Sequence, residues 1–182
     1  MKEKLILSTV SAWALGDRFD DTLAQKNEAL REAKFAKLDG DLSENAPYQA
    51  AKEKFRTMGR IQRRLTNEMN DLINQGHTLV DPLTWGTDEP ANVVELGTVV
   101  ELVQSGDTNI VLIAGARDHH LPDAGEIVPI PYTSPLGKAL LERRSGDEFI
   151  FELNHDQQQI KIRKIRRPTR EELLDVFPAL RD

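Results

Sequence analysis

Two segments with helical apolar spacing flank the short stretch 38–48, and this arrangement constrains the fold more than any other feature of the sequence. The second segment places apolar residues at three- and four-residue intervals: Tyr48, Ala51, Phe55, Met58, Ile61, Leu65, Met69 and Leu72. The first does so at Phe19, Leu23, Leu30 and Ala33, with polar Lys26 in the remaining slot. Gly40 and Pro47 favour a chain reversal between them. We predict an antiparallel helical hairpin whose helices, each about 28 residues long, extend roughly 40 Å, with Gly76 ending the second.

The stretch 38–48 carries three carboxylates, Asp39, Asp41 and Glu44, and no basic residue. One interpretation is helix capping, because Asp41 and Glu44 have the spacing of a capping box. A calcium loop is excluded, because Glu44 and Ala50 stand where an EF-hand requires Gly and Glu. A third interpretation is an exposed acidic tip that shares a magnesium ion held mainly by another molecule, since Mg²⁺ commonly takes only one or two protein carboxylates. Capping and metal sharing both stay open.

The second helical segment also carries a basic stripe. Four of its residues cluster within one quadrant of a helical wheel: Lys52, Arg56, Arg60 and Arg63. A solvated helix face explains such a run of charges. On a protein of net charge −6, the stripe also suits contact with RNA phosphates or an acidic channel wall. The sequence favours neither explanation over the other.

The segment 40–52 (GDLSENAPYQAAK) resembles the tip motif of the bacterial GreA/GreB transcript cleavage factors. Two further segments resemble later parts of the same family, 96–100 (LGTVV) and 133–141 (TSPLGKALL), the latter followed by Gly146 and Asp147. The resemblance implies an α+β chain: an antiparallel coiled-coil finger (1–77) with its acidic tip at 39–48, a linker (78–92) and a small FKBP-like α+β domain (93–165). A C-terminal helical tail (166–182) follows, and the first thirty residues depart from the family pattern.

The family resemblance also implies a function. Factors of this kind enter the secondary channel of bacterial RNA polymerase and stimulate the polymerase's own cleavage of backtracked RNA, so the chain is not itself an enzyme. Asp41 and Glu44 match the essential acidic pair: Asp41 would help hold a Mg²⁺ shared with the polymerase, and Glu44 would orient or deprotonate water. No cofactor is expected on the chain alone. Ser43, Asn45 and Tyr48 would shape the tip or touch the RNA 3′ end.

The remainder of the chain changes its period. Alternating apolar residues predict strands at 93–103 and 110–114 and a hairpin from 149–153 and 160–165. Ser134 and Pro135 predict an N-cap and a first-turn proline of a short helix reaching about residue 143. By the resemblance, the Ser134–Pro135 region is expected to dock on the polymerase. In the tail, Thr169 and Glu172 have capping-box spacing.

Composition and the N-terminus exclude other classes of protein. The chain has no cysteine, so disulfides, thiol catalysis and Cys-type zinc sites are excluded. Residues 5–10 form a short apolar run before Ala12-Trp13-Ala14, but Glu3 and hydroxyl residues make a signal peptide unfavourable. We expect the start of the first helix there, a cytoplasmic protein and no membrane partner. His119 and His120, near Asp118 and Asp123, favour a solvated loop over a metal site.

Three rival functions remain at this stage. The divergent N-terminus and the added tail allow a relative that occupies the same channel but inhibits polymerase. Retention of Asp41 and Glu44 favours cleavage over inhibition. An FKBP-like prolyl isomerase or chaperone is less favoured, because 93–165 is poor in aromatic residues and Trp13 and Trp85 lie outside it. A coiled-coil adaptor with a merely capped tip is the third rival.

Overall fold

The computed structural model describes residues 4–39, 45–86, 90–118, 125–153 and 156–181. They form two compact units: a helical unit (13–76), and a sheet unit made of the described residues up to 12 and from 77 onward. Long helices in the first unit and a β-sheet in the second confirm the predicted α+β class.

The helical unit is an antiparallel hairpin. Helix α1 spans Thr9–Ala36 and is followed by a 3₁₀ turn, Lys37–Asp39; helix α2 spans Ala46–Asn74. Contacts run in opposite directions along the two helices: the Lys54 ammonium lies 3.3 Å from Glu32, whereas Lys26 donates to Gln62 at 2.7 Å. Gly76, with φ +62°, follows the end of α2 as predicted.

The buried stripe of α2 agrees with the prediction, but that of α1 differs in part. Leu15, Thr22 and Ala29 are buried at seven-residue intervals, whereas Leu30 is exposed. Alanine and threonine at these positions let the helix backbones approach closely, which a longer leucine side chain would hinder. The expected assignment of Leu30 to the seam was therefore wrong.

The Lys26 ammonium, at its position in the seam, has two partners on α2. Besides the hydrogen bond to Gln62, its ammonium lies 5.4 Å from the centre of the Phe55 ring. A single polar residue at such a position fixes the register of facing helices, because any slip would leave it unpaired. The polar interruption seen in the sequence is therefore a register-setting contact.

The N-terminal residues form a strand instead of the expected helix opening. Strand β1 (Ile6–Ser8) pairs in parallel with β2 (Thr78–Val80). On its other side, the Ile6 carbonyl accepts a hydrogen bond from the Ala116 N–H at 2.9 Å. A 3₁₀ helix, Pro82–Trp85, follows β2, and Trp85 is buried. Residues 4–12 thus group with the sheet unit, although α1 already begins at Thr9. The described residues of 78–92 include a strand and a 3₁₀ helix, so this segment is more than a linker.

A buried carboxylate holds β1 in place. The Ser8 hydroxyl donates to one Asp118 oxygen at 2.5 Å, and the Gly115 N–H donates to the other at 2.6 Å. Ser8 and Asp118 are both fully buried. Burial of a carboxylate is tolerated only where hydrogen bonds replace water. The chain passes close by here: a Cβ on Gly115 would lie 2.7 Å from the Ser8 nitrogen.

The sheet has five strands in the order β5-β4-β3-β7-β6. Their bounds are β3 Val99–Gln104, β4 Asp107–Ala114, β5 Ile127–Pro131, β6 Glu148–Leu153 and β7 Asp156–Arg166. Only the β4–β5 pair is parallel. The predicted strand at 93–96 is reduced to a single bridge between Val93 and Arg144. The prolines of β5 occupy an edge strand, where a missing N–H is tolerated.

Each face of this sheet carries a buried core, but one of them is exposed along β6 and β7, where Glu148, Ile150 and Lys161 are open to solvent. One packs around helix α3 (Pro135–Leu140), with Val100, Leu102 and Leu140 in its core. The opposite face, carrying Val99 and Leu112, is covered by a second layer. That layer takes its side chains from three separate segments of the chain: Val10, Val80, Leu83, Trp85, Leu173, Val176, Phe177 and Leu180.

The C-terminal tail is helical, as predicted. Helix α4 (Arg170–Val176) begins with a complete capping box between Thr169 and Glu172, and a 3₁₀ turn, Pro178–Arg181, follows it. Arg166 donates to both oxygens of Glu172, at 2.6 and 2.7 Å. These hydrogen bonds lower the pKa of the Glu172 carboxyl. The tail is thus fixed at its start by a bidentate ion pair.

Replacement of Phe177 by alanine tests the second layer. Phe177 is fully buried and meets the Trp85 ring edge-on at 6.0 Å between centroids. Phe177→Ala should lower the free energy of unfolding by about 3–5 kcal/mol, measured by urea denaturation with tryptophan fluorescence. Phe35→Ala is the matched control, because Phe35 is exposed and should change stability by less than ~0.5 kcal/mol. Equal effects of the two substitutions would contradict the assignment.

Replacement of Gly115 by alanine tests the docking of β1. The added Cβ would crowd Ser8 and the Asp118 carboxylate, so Gly115→Ala should destabilise the protein by about 1–3 kcal/mol and speed amide exchange at Thr78 and Ala116. The control is Gly16→Ala, since no atom lies within 4 Å of a Cβ there. That helical substitution should stabilise the chain by about 0.4–1 kcal/mol. Unchanged exchange in Gly115→Ala would count against the docking.

Candidate functional site at the end of the helical hairpin

Asn45 ties the two helices together at the base of the tip. Its side-chain oxygen accepts from the Tyr48 N–H at 2.9 Å, which caps α2, and its amide nitrogen donates to the Ala36 carbonyl at 2.6 Å. Pro47 occupies the first turn, where its missing N–H costs nothing. Helix α2 thus begins at Ala46 with Asn45 as its cap, whereas the predicted capping box of Asp41 and Glu44 lies outside the described residues.

The predicted acidic pair lies in the segment enclosed by this tie. Asp41 and Glu44, with Ser43 between them, lie outside the described residues, as do His119 and His120. The described chain reaches Asp39 on one side and resumes at Asn45 on the other. The tie therefore fixes where the acidic segment leaves and rejoins the hairpin.

Tyr48 and Lys52 lie on the first two turns of α2. Tyr48 is half-buried, and the Lys52 ammonium lies 5.7 Å from the centre of its ring. A cation at this distance from an aromatic ring is weakly attracted to it. Tyr48 thus packs at the top of the seam and also orients the first cation of the stripe.

The other three cations of the stripe, Arg56, Arg60 and Arg63, are exposed. Glu53 lies 2.9 Å from Arg60 and 3.9 Å from Arg56. Such exposed ion pairs contribute little to stability, so a phosphate or another carboxylate could replace Glu53 as the partner. The three arginines line an open groove of about 540 Å³, together with Lys26, Glu53, Phe55, Gly59 and Gln62.

Two of these groove residues were missed by the sequence interpretation. Glu53 stands three residues before Arg56 and seven before Arg60, a spacing that could have indicated an ion pair on one helix face. Lys26 lines the groove from α1, and no pattern in the sequence near it indicates this position. In the groove Glu53 thus offsets one positive charge of the stripe, and Lys26 adds one from α1.

The expected docking region belongs to the sheet unit. Ser134 caps α3 by accepting from the Gly137 N–H at 3.0 Å, and Pro135 is exposed. The helix ends at Leu140, slightly earlier than predicted. A groove of about 400 Å³ beside it is lined by aliphatic and polar side chains, including Leu102, Ile130 and Leu136. Trp85, expected outside this domain, packs into its core instead.

No group of three or more His, Cys, Asp or Glu side chains that could hold a metal ion occurs within the described ranges. Asp41, the carboxylate predicted to ligate Mg²⁺, lies outside those ranges. Among the described helices, none is long and apolar enough to cross a lipid bilayer.

Family models match both parts of the chain. Residues 14–73 match the N-terminal domain of transcription elongation factors, and residues 89–167 match the C-terminal domain described as transcription elongation factor GreA/GreB. The transcription elongation factor GreA of Nautilia profundicola is 36% identical over 140 residues, covering 76% of this chain and 78% of that protein. This chain belongs to the GreA/GreB family.

A second relative of similar sequence agrees with this assignment. The GreA protein of Metamycoplasma arthritidis is 32% identical over 168 residues, covering 88% of this chain and 96% of its own. Among solved structures, GreA factor homolog 1 of Thermus thermophilus covers 90% of this chain and 99% of its own, at 19% identity and a TM-score of 0.36. The GreA/GreB factor of Nitrosomonas europaea gives a TM-score of 0.33 at 17% identity, covering 91% of this chain and 99% of its own.

Substitutions of Asn45 separate its two contacts. Asn45→Ala removes both and should cost about 0.5–2 kcal/mol of stability, whereas Asn45→Asp keeps the cap on Tyr48 but removes the donor to Ala36. We expect Asn45→Asp to retain protection of the Tyr48 amide in hydrogen exchange and Asn45→Ala to lose it. Equal protection of this amide in both variants would show that the cap does not fix the start of α2.

Proposed function

We propose that this chain is a transcription elongation factor that enters the secondary channel of bacterial RNA polymerase and stimulates cleavage of backtracked RNA. It acts in the cytoplasm as an accessory factor, and the polymerase supplies the active centre. The observation that carries the proposal is the Asn45 tie, which holds a segment containing Asp41 and Glu44 between the ends of two long helices. Membership of the GreA/GreB family supports it.

The proposed roles of the tip residues follow from their chemistry. A Mg²⁺ ion bound mainly by the polymerase supplies activation of water and stabilisation of the leaving oxygen. Asp41 contributes an extra carboxylate ligand to this ion, and Glu44 orients the attacking water or accepts its proton. Ser43, Asn45 and Tyr48 keep the tip in shape. The chain alone needs no cofactor.

The proposed binding contacts are distributed over both units. The stripe of Lys52, Arg56, Arg60 and Arg63 contacts nascent RNA or the acidic wall of the channel, and its weak pairing with Glu53 supports this role. The Ser134–Pro135 region docks on the polymerase, supported by the exposure of Pro135 at the start of α3. Positioning and chemistry are thus assigned to different residues.

A backtracked polymerase complex with labelled RNA and Mg²⁺ tests the proposal. Wild-type protein should release short 3′ fragments, and Asp41→Ala or Glu44→Ala should reduce the cleavage rate about a hundredfold or more while binding to the polymerase is retained. Asp39→Ala is the matched control, because it removes a neighbouring carboxylate to which no role is assigned, and it should cleave like wild type.

The other outcomes separate the rival functions. Binding without cleavage, together with slowed nucleotide addition, would identify an inhibitor of the same channel. Absence of binding to the polymerase would refute the proposal and leave an adaptor or an isomerase. A peptide prolyl isomerisation assay then separates those two.

A further inference from the structure

The last turn of α1 and the 3₁₀ turn that follows it each expose one large apolar side chain. Phe35 is 76% exposed and Leu38 is 80% exposed. With Arg31 and Lys34, which are also exposed, they lie at spacings of three and four residues and so share one helix face. We call these four residues the α1-end patch. Ala29, on the seam of the same helix, is fully buried.

Packing within the chain does not account for the α1-end patch. Exposing a phenylalanine and a leucine one turn apart carries a risk of aggregation without any gain in stability. Phe35 takes no part in the ring–ring or cation–π contacts found among the described residues. An external ligand is therefore the more economical explanation for the patch.

Two basic residues, Arg31 and Lys34, accompany Phe35 and Leu38 in the patch. Neither Arg31 nor Lys34 forms an ion pair with another described residue. Of the acidic residues nearest in sequence, Glu28 and Glu32 lie 3.7 and 3.3 Å from Lys54 on α2 and are engaged there, whereas the side chain of Asp39 lies outside the described part of the chain. An aromatic ring that shares its helix face with two free cations has the features of a surface that binds single-stranded nucleic acid, where bases stack on rings and phosphates meet cations.

A protein partner fits the patch less well. The buried centres of protein interfaces are depleted of charge, and lysine is under-represented in them. Here the apolar pair is small and shares its face with an arginine and a lysine. The patch also lies next to the tip. Ala36, which stands between Phe35 and Leu38 in the sequence, accepts the hydrogen bond from Asn45 through its carbonyl. RNA bound to Phe35 would be close to the base of the acidic segment.

We propose that the α1-end patch binds single-stranded RNA, with Phe35 stacking on a base, Leu38 extending the apolar surface, and Arg31 and Lys34 contacting phosphates. The identity of that RNA as the 3′ segment of a backtracked transcript rests on the proposed function. The RNA contact itself does not require it. Phe35 is on this view a binding residue that positions RNA and takes no part in the chemistry.

Fluorescence anisotropy of a fluorescein-labelled oligouridylate, titrated with the full chain at low salt, tests this without polymerase. Phe35→Ala and Phe35→Leu should both weaken binding by at least about fivefold, and Phe35→Tyr should retain it, because stacking requires a ring. Ile73→Ala is the matched control. Ile73 is also 76% exposed, but it lies at the C-terminal end of α2, at the opposite end of this helix from Asn45. Lys34→Ala should reduce the salt dependence of log K by about one.

Each outcome decides the proposal. Undetectable binding by wild type, or equal binding by wild type and Phe35→Ala, overturns it. Full binding by Phe35→Leu shows that no stacking occurs and also overturns it. Loss of polymerase affinity in Phe35→Ala with unchanged RNA affinity assigns the patch to a protein partner instead. If RNA binding requires Phe35 but the chain does not stimulate cleavage, the inference stands and the proposed function is rejected. If the wild-type chain stimulates cleavage but its RNA affinity does not depend on Phe35, the proposed function stands and the inference is rejected.

Discussion

The packing of Trp85 and Phe177 against one face of the five-stranded sheet is the contact on which the sheet unit depends. Val99, Leu112 and Ile127 are buried beneath these rings. Without the rings, their side chains would face water. Burying such side chains contributes roughly 1.5–3 kcal/mol each. The covering layer is therefore a condition for a stable sheet, and the tail is part of the folded domain.

This layer also explains the segments outside the matched family domains. Residues before 14, between 73 and 89, and after 167 lie outside those matches, and each contributes side chains to the same core: Val10, Trp85 and Phe177 among them. The Ser8–Asp118 hydrogen bond adds a polar contact between the first of these segments and the matched C-terminal domain. A change in one segment should therefore be felt by the other two.

The sequence was informative where structure is set locally. The seam of α2, the cap at Ser134 and the capping box at Thr169 depend on neighbours within a few residues, and all three are found in the structure. Strand β1 and the burial of Trp85 depend on partners far along the chain. A three-residue strand gives no usable period. At the tip, the motif indicated the residue types, but the tie from Asn45 to Ala36 spans two elements and has no pattern of its own.

The neutral side chain of Asn45 joins the two helices without adding a charge beside the acidic segment. A neutral amide donates to a carbonyl and accepts from an N–H at the same time, so one side chain joins the end of α1 to the start of α2. An aspartate could cap α2 but would place a negative charge against the Ala36 carbonyl. The amide also adds no charge to the enclosed segment, whose carboxylates are Asp39, Asp41 and Glu44. Under the proposed function, holding the two ends of that segment would lower the conformational entropy lost when Asp41 meets a shared ion.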